Sequence, residues 1–475
     1  MTQNIVSVLP ELLMLLFGFM LIIVEIITSK ENKYTLGYFG IVFILFVLLF
    51  SIPSKTPIYG FSNMLVWDYF SYLFFLVFSI AFIFTMLNSV NYNARRIQPS
   101  GEYYLILFLS IIGMMFMASA LDLAVFYVGL ETMSISLYIL AGYEKDNIES
   151  NEAGIKYFII GAFSSAIFLF GLSYIYGYAG STKYHDIANM ILNNGIDEFN
   201  FKIGLVMMLA GFAFKISAVP FHMWAPDVYT GSPTPIAGFM TVAPKAAAFA
   251  GLIRFAWISM DPAQIHWQLF FVILAILTMT YGNLVALVQK NIKRMLAYSA
   301  ISHAGYMLVA FVAANDLAFK SIVFYMIIYS FMNIGAFAVL SIIVSKENLP
   351  DEHLENFAGL AKKNPLISLA MLVFMFSLAG IPPLAGFVAK FYAFMAAIKA
   401  GFLWLAIIAI INSAIGCYYY IRVVYYMYFK DVEREAEISH SYNSYISIFC
   451  TSIIVILLTI FSPILVLLSD KISLF

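Results

Sequence analysis

The stretch FKISAVPFHMWAPDVYTGSPTPIAGFMTVAPKAAAF, residues 214–249, decides the fold. It is mostly apolar, yet it carries Lys215 at its start and Lys245 near its end, with Pro220 between them. An unpaired charge at the centre of a membrane helix costs roughly 2.5–3.5 kcal/mol, so such lysines face a bundle interior or water. Proline removes a backbone donor and interrupts a helix. The stretch therefore predicts an interrupted membrane helix followed by an intact one, with ionisable groups between helices.

The composition of the whole chain agrees with a membrane environment. The 475 residues are 63% hydrophobic and 11% charged, whereas a soluble domain has about 25% charged residues. The net charge of −1 gives no field that would attract nucleic acid. We predict an all-α integral membrane protein.

Fourteen apolar runs are long enough to span a membrane, which takes about 20 residues. The first run lacks the features of a signal peptide and is predicted to be a retained helix. The twelfth run contains Pro382-Pro383 and is predicted to be one broken span, as is the seventh beside Pro220. The predicted spans are 5–28, 34–51, 68–88, 103–120, 122–142, 154–178, 202–219, 234–256, 267–289, 293–314, 319–345, 366–399, 402–429 and 445–469.

The lysines and arginines of the loops set the predicted orientation, because cytoplasmic loops are richer in them. The odd-numbered loops hold thirteen such residues and the other side holds seven. The odd-numbered loops are therefore predicted to be cytoplasmic, and both termini to lie on the opposite side. The thirteen are Lys30, Lys33, Arg95, Arg96, Lys145, Lys290, Lys293, Arg294, Lys346, Lys362, Lys363, Lys430 and Arg434; the seven are Lys55, Lys183, Lys202, Arg254, Lys320, Lys399 and Lys471.

A short internal repeat suggests two similar halves. AGFAFK at 210–215 recurs as AGFVAK at 385–390, an offset of 175 residues, and each copy ends in a lysine beside a proline break. Matching interrupted helices in two halves indicate the central site of a transporter. We predict inverted five-helix repeats, helices 4–8 and 9–13. The corresponding segments are 1–101, with three helices, 102–258 and 259–430, with one repeat each, and 431–475, a connector and a final helix.

Five ionisable groups lie deep inside apolar runs, namely Glu131, Lys156, Lys215, Lys245 and Lys390. Glu131 is expected to pair with one lysine, and Lys215 is favoured because it lies beside a helix break. Lysine can release its proton, which arginine does not do, so lysines at these depths favour proton handling over static charge. For Lys156, which lies close to the polar stretch 144–152, extension to the lipid headgroups is a serious alternative.

Histidines add two further candidates. His303 lies on the tenth span four residues after Ser299, on the same helix face, and histidine titrates near neutral pH; a hydrogen-bonded packing role is the alternative. His222, two residues after Pro220, is a secondary candidate, as is Lys156. Cys417 and Cys450 lie in apolar runs and are predicted to be small hydrophobic residues, so cysteines supply no iron–sulfur, haem or zinc site here.

These residues resemble a known family. The stretches 214–249, NIKRMLAYSAISHAGYMLVA at 291–310 and SLAGIPPLAGFVAKFYAF at 377–394 resemble the proton-conducting membrane subunits of NADH–quinone oxidoreductase, respiratory complex I. Those subunits are similar in turn to subunits of multi-subunit cation/proton antiporters. With fourteen predicted spans, and lysine at 390 where the M type has glutamate, the chain looks most like the N type.

The resemblance implies roles for matching positions. Glu131 and Lys215 look like the coupled ion pair, Lys245 like the relay lysine, and Lys390 like the terminal donor, with His303 between them. Lys156 matches an intramembrane lysine of the sixth span. NADH, flavin mononucleotide, iron–sulfur clusters and quinone would be bound by partner subunits, and this chain would hold no cofactor or metal.

The implied function is proton translocation by one subunit of a redox-driven translocase in a bacterial inner membrane, next to other antiporter-like subunits. A cation/proton antiporter subunit without a redox partner is the main alternative, because it would use the same buried charges. A free-standing secondary transporter is the third.

Overall fold

A computed structural model of the chain describes residues 2–53, 56–96, 101–195, 199–260, 264–345, 351–431 and 436–461. The described residues are almost entirely helical. Their helices are α1 Thr2–Ser7, α2 Leu9–Ile27, α3 Leu36–Phe50, α4 Tyr69–Arg96, α5 Gly101–Ser119, α6 Leu123–Ala141, α7 Ile148–Ala179, α8 Tyr184–Asn194, α9 Phe199–Lys215, α10 Trp224–Gly231, α11 Thr234–Arg254, α12 Gln264–Leu287, α13 Ile292–Ala313, α14 Asp316–Ile342, α15 Leu360–Lys363, α16 Pro365–Ala379, α17 Ala385–Lys399, α18 Leu403–Phe429 and α19 Tyr442–Ile460.

Two short antiparallel hairpins supplement the helices. Strand β1 (Ile58–Gly60) pairs with β2 (Leu65–Trp67), with Ile58 opposite Trp67. Strand β3 (Ile343–Ser345) pairs with β4 (Ala436–Ile438), with Ile343 opposite Ile438. The second pairing joins the end of α14 to the segment before α19.

The predicted spans are present as helices. Among the described residues, twelve helices are long and apolar enough to cross a membrane. The other two predicted spans are interrupted as expected: α9 and α10 flank residues 216–223, and α16 and α17 flank residues 380–384. The multi-pass membrane fold is therefore confirmed. The end of the last predicted span, 462–469, lies outside the described residues, as do Lys55, Lys346, Arg434 and Lys471 from the orientation count.

The two copies of the repeated motif lie at different places relative to the interruptions. Helix α9 ends at Lys215 and α16 ends at Ala379, 164 residues later. The AGFAFK motif forms the end of α9, before its interruption, whereas AGFVAK begins α17, after its interruption. Inverted repeats at 102–258 and 259–430, with their offset, stay a prediction.

The centre of the bundle consists of α11, α13 and α14. Every residue of α11 is buried, every residue of α13 except Arg294 is buried, and nearly all of α14 is. A helix with no exposed face must be enclosed by others on all sides. Ionisable side chains on these helices therefore lie away from lipid.

Helices α5 and α6 cross where two glycines allow close contact. A Cβ atom on Gly113 would lie 2.5 Å from the backbone nitrogen of Met133, and one on Gly129 would lie 2.7 Å from the carbonyl oxygen of Gly113. Small residues at such crossings let helix backbones approach within a membrane. Asp122 caps the start of α6 by accepting a hydrogen bond from the Ala124 amide at 2.8 Å. The position of α6, which carries Glu131, thus depends on this crossing.

Gly113→Ala is expected to lower the free energy of unfolding by about 1–3 kcal/mol, because the added methyl group meets backbone atoms that cannot move aside. The matched control is Gly177→Ala in α7, where no heavy atom lies within 4 Å of the added Cβ. Melting temperatures of the two purified variants in the same detergent test this expectation. Equal stability of both variants would show that the crossing tolerates a methyl group.

Candidate functional site

Four ionisable side chains are enclosed at the centre of the fold. The exposed fraction is 5% for Lys215, 1% for Lys245, 1% for His303 and 6% for Lys390. All three lysine ammonium groups contact internal partners, which rules out extension to the headgroups for these residues. The sequence analysis therefore identified a set of ionisable groups that the fold keeps inside the bundle.

Lys215 is the last residue of α9 and points towards α6. Its Nζ donates a hydrogen bond to the hydroxyl of Ser134 at 2.7 Å. The rings of Tyr138 and Phe214 lie 5.8 Å and 5.7 Å from the same atom. The lysine therefore lies against the helix that carries the predicted acidic partner, Glu131.

The expected direct ion pair between Glu131 and Lys215 is not formed in this structure. Ser134 lies one helical turn after Glu131 on the same face of α6, and its hydroxyl accepts the lysine instead. Oε1 of Glu131 is buried and has no hydrogen-bond partner among the described residues. Buried carboxylate oxygens are normally satisfied by a donor or by water. The charge of Glu131 therefore acts on Lys215 without direct contact between the two side chains.

Lys245 lies in the middle of α11, directly after Pro244. Because Pro244 has no amide proton, the carbonyl of Met240 is left without its helical partner, and the Tyr229 hydroxyl donates to it at 3.4 Å. The Tyr229 ring lies 5.8 Å from the Lys245 ammonium group. Lys245 itself donates to the backbone carbonyl of Ala300 in α13 at 2.7 Å.

His303 follows Ala300 on α13 and is held from both sides. Its Nδ1 lies 2.7 Å from the Tyr325 hydroxyl, and its Nε2 lies 3.1 Å from the Tyr420 hydroxyl. Neutral imidazole donates at one nitrogen and accepts at the other, so one tyrosine donates and the other accepts. The charges of Lys245 and Lys390 both act on this ring. His303 is thus close enough to both lysines to be affected by their charges.

Lys390 lies in α17 and binds the end of the preceding half-helix. Its Nζ donates to the carbonyls of Leu378 at 3.0 Å and Ala379 at 2.9 Å, and to the hydroxyl of Ser413 at 3.0 Å. The last carbonyls of a helix have no internal partner and form its negative end. The interruption at 380–384 therefore creates the site that the Lys390 ammonium group occupies.

We call Lys215, Lys245, His303 and Lys390 the row. The two secondary candidates, Lys156 and His222, lie apart from it. Lys156 is partly exposed and forms ion pairs with Glu152 at 2.6 Å and Asp227 at 3.0 Å. Asp227 also binds Arg294 at 2.9 Å. Lys156 thus belongs to a half-exposed ion cluster. His222 lies in the first interruption, where its ring packs on Tyr281 with centroids 4.6 Å apart.

One buried ion pair escaped the sequence analysis, which counted Arg254 with the loops. The Arg254 guanidinium is 1% exposed, donates to Asp68 Oδ1 at 2.6 Å and to the Ala118 carbonyl at 2.6 Å, and lies 4.3 Å from the Phe70 ring. It joins the end of α11 to the ends of α4 and α5. The apolar sequence on both sides of Arg254 was the available signal.

A polar cavity of about 1060 Å³ opens at one end of the bundle. It brings together Lys33, Arg96, Lys145 and Lys293, which come from four loops that were predicted to share one side. Burial raises the pKa of the Glu352 carboxyl group in this cavity, but the charge of Lys293 at 3.6 Å, hydrogen bonds from Thr234 and the backbone, and the charge of Arg96 together outweigh burial, so the pKa is lowered. These four residues therefore meet at one end of the bundle.

The described residues contain no group of three or more histidine, cysteine or acidic side chains arranged to hold a metal ion. Cys417 is half-buried and Cys450 is exposed, and neither is in a disulfide.

Comparison with known proteins places these features in context. Residues 120–416 match the family described as NADH:quinone oxidoreductase/Mrp antiporter, TM. The chain is 46% identical to NADH-quinone oxidoreductase subunit N of Trichlorobacter lovleyi, over 91% of this chain and 89% of that protein.

Solved structures give the same result. A chain of respiratory complex I from Thermus thermophilus, with bound aureothin, superposes with a TM-score of 0.81 at 30% identity, covering 96% of this chain and 98% of that one. A chain of the Mrp complex from Dietzia sp. superposes with a TM-score of 0.82 at 17% identity, covering 99% and 97%. At that identity the second likeness shows the fold alone.

Proposed function

The chain belongs to the family of NADH-quinone oxidoreductase subunits N, antiporter-like membrane subunits of respiratory complex I, and from this premise we propose that it moves protons across the membrane while partner subunits pass electrons from NADH to quinone. It is a subunit of a translocase and carries no redox chemistry of its own. NADH, flavin mononucleotide, iron–sulfur clusters and quinone are bound by the partners.

One observation supports this function above all others. Lys215, Lys245 and Lys390 are buried, and their partners are carbonyls, hydroxyls and rings. No ion pair within 4.0 Å among the described residues includes any of them. A permanent charge buried without a counter-ion is strongly penalised, whereas a lysine can avoid the penalty by releasing its proton. These sites suit groups that alternate between two protonation states.

Arg254 provides the contrast within the same chain. Its guanidinium keeps its charge and is matched by the Asp68 carboxylate. Arg254, whose charge is permanent, therefore has a buried counter-ion, whereas the three titratable lysines have none within 4.0 Å among the described residues.

The order of the groups suggests the order of transfer. Glu131 acts on Lys215. Lys245 lies on α11 and His303 on α13, and Lys390 ends the row beside the second interruption. In this scheme, Glu131 signals to Lys215, Lys245 relays, His303 connects the halves, and Lys390 releases the proton to the far side. Lys156 and His222 have secondary roles at most, because neither contacts the row.

The polar cavity supports an entry side for protons. It holds both acids and bases at the end of the bundle that is richer in lysine and arginine. By the positive-inside rule this end is cytoplasmic, which puts both termini on the other side of a bacterial inner membrane. Other antiporter-like subunits of the same complex are the lateral partners.

The proposal is tested with inside-out membrane vesicles that contain the complete complex. Adding NADH is expected to acidify the vesicle interior, and Lys245→Ala is expected to reduce that acidification about tenfold or more, because an essential proton carrier is lost. A pH-sensitive dye reports acidification, and quinone reduction is followed in parallel. Acidification driven by a sodium or potassium gradient without NADH, of equal size, would favour the antiporter subunit instead.

A further inference from the structure

Helix α18 carries three polar side chains between Lys390 and His303. Ser413, Cys417 and Tyr420 lie at positions i, i+4 and i+7, so they share one face of the helix. Together they extend about 10 Å along its axis. We call these three residues the α18 stripe.

Both ends of the α18 stripe contact the row of titratable groups. The Ser413 hydroxyl accepts a hydrogen bond from Lys390 Nζ at 3.0 Å. The Tyr420 hydroxyl lies 3.1 Å from His303 Nε2 and also bonds to the Ser299 hydroxyl. The stripe therefore begins at the lysine and ends at the histidine.

Cys417 occupies the middle of the stripe. Its Sγ lies 3.4 Å from the Ser413 carbonyl and 3.7 Å from the Ala379 carbonyl, to which Lys390 also donates. Lys390 and Tyr420 are both close enough to interact electrostatically with this thiol. The thiol therefore lies between Ser413 and Tyr420 along the helix face, and its hydrogen-bond partners are backbone carbonyls.

We propose that the α18 stripe is the connection through which protons pass between Lys390 and His303. The inference rests on the proposed function and adds a path to it. Hydroxyl and thiol groups both donate and accept hydrogen bonds, so each can receive a proton on one side while giving up its own on the other. The balance is a single proton moved from His303 to Lys390: one imidazolium becomes neutral, one lysine becomes protonated, and the stripe is unchanged.

A neighbouring set of side chains supports the stripe without joining it. The Tyr306 ring lies 4.9 Å from Lys390 Nζ, and its hydroxyl accepts from Asn283 at 2.9 Å. Tyr419 donates to the same Asn283 at 2.9 Å. The Tyr306 ring also packs against the His303 ring, with centroids 5.7 Å apart. Because Asn283 engages the hydroxyl groups of both Tyr306 and Tyr419, these two tyrosines hold α18 against α12 and α13.

Proton pumping by variants of the reconstituted complex tests the path. Tyr420→Phe and Cys417→Val are each expected to lower the rate of NADH-driven proton pumping about fivefold or more. Cys417→Ser is expected to recover most of the loss caused by valine, since serine restores the donor and acceptor. Tyr418→Phe is the matched control, because Tyr418 lies on the exposed face of α18 with 62% of its surface accessible. Pumping by Tyr420→Phe and Cys417→Val at the level of the control would overturn the proposal.

Thiol labelling gives a readout that does not depend on variant folding. A thiol reacts as the thiolate, which needs water, so a path for protons predicts that Cys417 is modified by a small hydrophilic methanethiosulfonate. Cys450 is the internal control, since it is exposed on α19 within an apolar run. Mass spectrometry of the two peptides is expected to show faster modification of Cys417. Modification of Cys417 no faster than that of Cys450 would contradict the proposal.

A third variant separates this inference from the function on which it rests. Lys390→Ala is expected to lose pumping if the chain translocates protons by the proposed row. Normal pumping by Lys390→Ala would overturn the function itself. Loss in Lys390→Ala together with normal pumping in Tyr420→Phe and Cys417→Val would overturn the stripe alone.

Discussion

Lys215→Ala is expected to reduce NADH-driven proton pumping about tenfold or more, with the complex still assembled. The Lys215 ammonium group donates to Ser134, which lies one helical turn from Glu131 on α6, so alanine removes a group through which α6 and α9 interact. Loss of a positioned proton carrier typically costs about 10²–10⁴-fold in rate. Quinone reduction by the same membranes is expected to fall as well, because the two processes are coupled.

Two further substitutions make the result specific. Lys215→Arg keeps the positive charge but cannot release a proton, so assembly without pumping is expected. Lys156→Ala is the matched control, because Lys156 belongs to an ion cluster outside the row and its side chain is 40% exposed. Pumping at the normal level in both Lys215→Ala and Glu131→Ala, or equal loss in Lys156→Ala, would show that the row is wrongly assigned.

Arg254→Ala is expected to lower the free energy of unfolding by about 3–5 kcal/mol, since it leaves the Asp68 carboxylate buried without its partner. The side chain also bonds to the Ser71 hydroxyl at 2.8 Å, so three helices lose a common contact. The yield and melting temperature of the purified complex in detergent measure the effect. Arg294→Ala is the control, because Arg294 is 37% exposed in its ion pair.

A double variant tests the electrostatic explanation of this loss. Arg254→Leu with Asp68→Leu removes both charges and is expected to be more stable than Arg254→Leu alone, because no unpaired carboxylate remains. If the double variant were the less stable, packing against Phe70 would be the larger contribution of Arg254.

The sequence predicted the membrane fold because lipid imposes a simple requirement on the chain. A spanning helix needs about 20 apolar residues, and this requirement located the helices with bounds close to those observed. It also singled out Lys215, Lys245 and Lys390 as candidates, since a charged residue within an apolar run is energetically costly and is usually functional. His303 was located by its place on the tenth span.

The partners of these groups could not be predicted, because most of them are not recognisable in the sequence. Lys245 binds the backbone carbonyl of Ala300, and Lys390 binds those of Leu378 and Ala379. Any residue type offers such a carbonyl, so only the packing of helices selects it. The expected contact of Glu131 with Lys215 failed for a related reason, since Ser134 on the same face lies closer to the ammonium group.

Local sequence alone does not show how the repeated motifs or Arg254 are placed in the fold. AGFAFK and AGFVAK look alike but lie on opposite sides of their interruptions. Arg254 was assigned to a loop because it ends an apolar run, whereas Asp68, its partner, lies 186 residues earlier in the chain. Pairings over such distances require the fold.

The carbonyl site beside the second interruption affects which protonation state is favoured for the side chain at position 390. Carbonyl oxygens accept hydrogen bonds and cannot donate them, so the carbonyls of Leu378 and Ala379 bind an ammonium group and repel a carboxylate. A glutamate placed at position 390 would bond there only while it carried its proton. The backbone alone thus makes the protonated form the state of rest for either residue, and the two would differ in whether that state is a cation or a neutral acid.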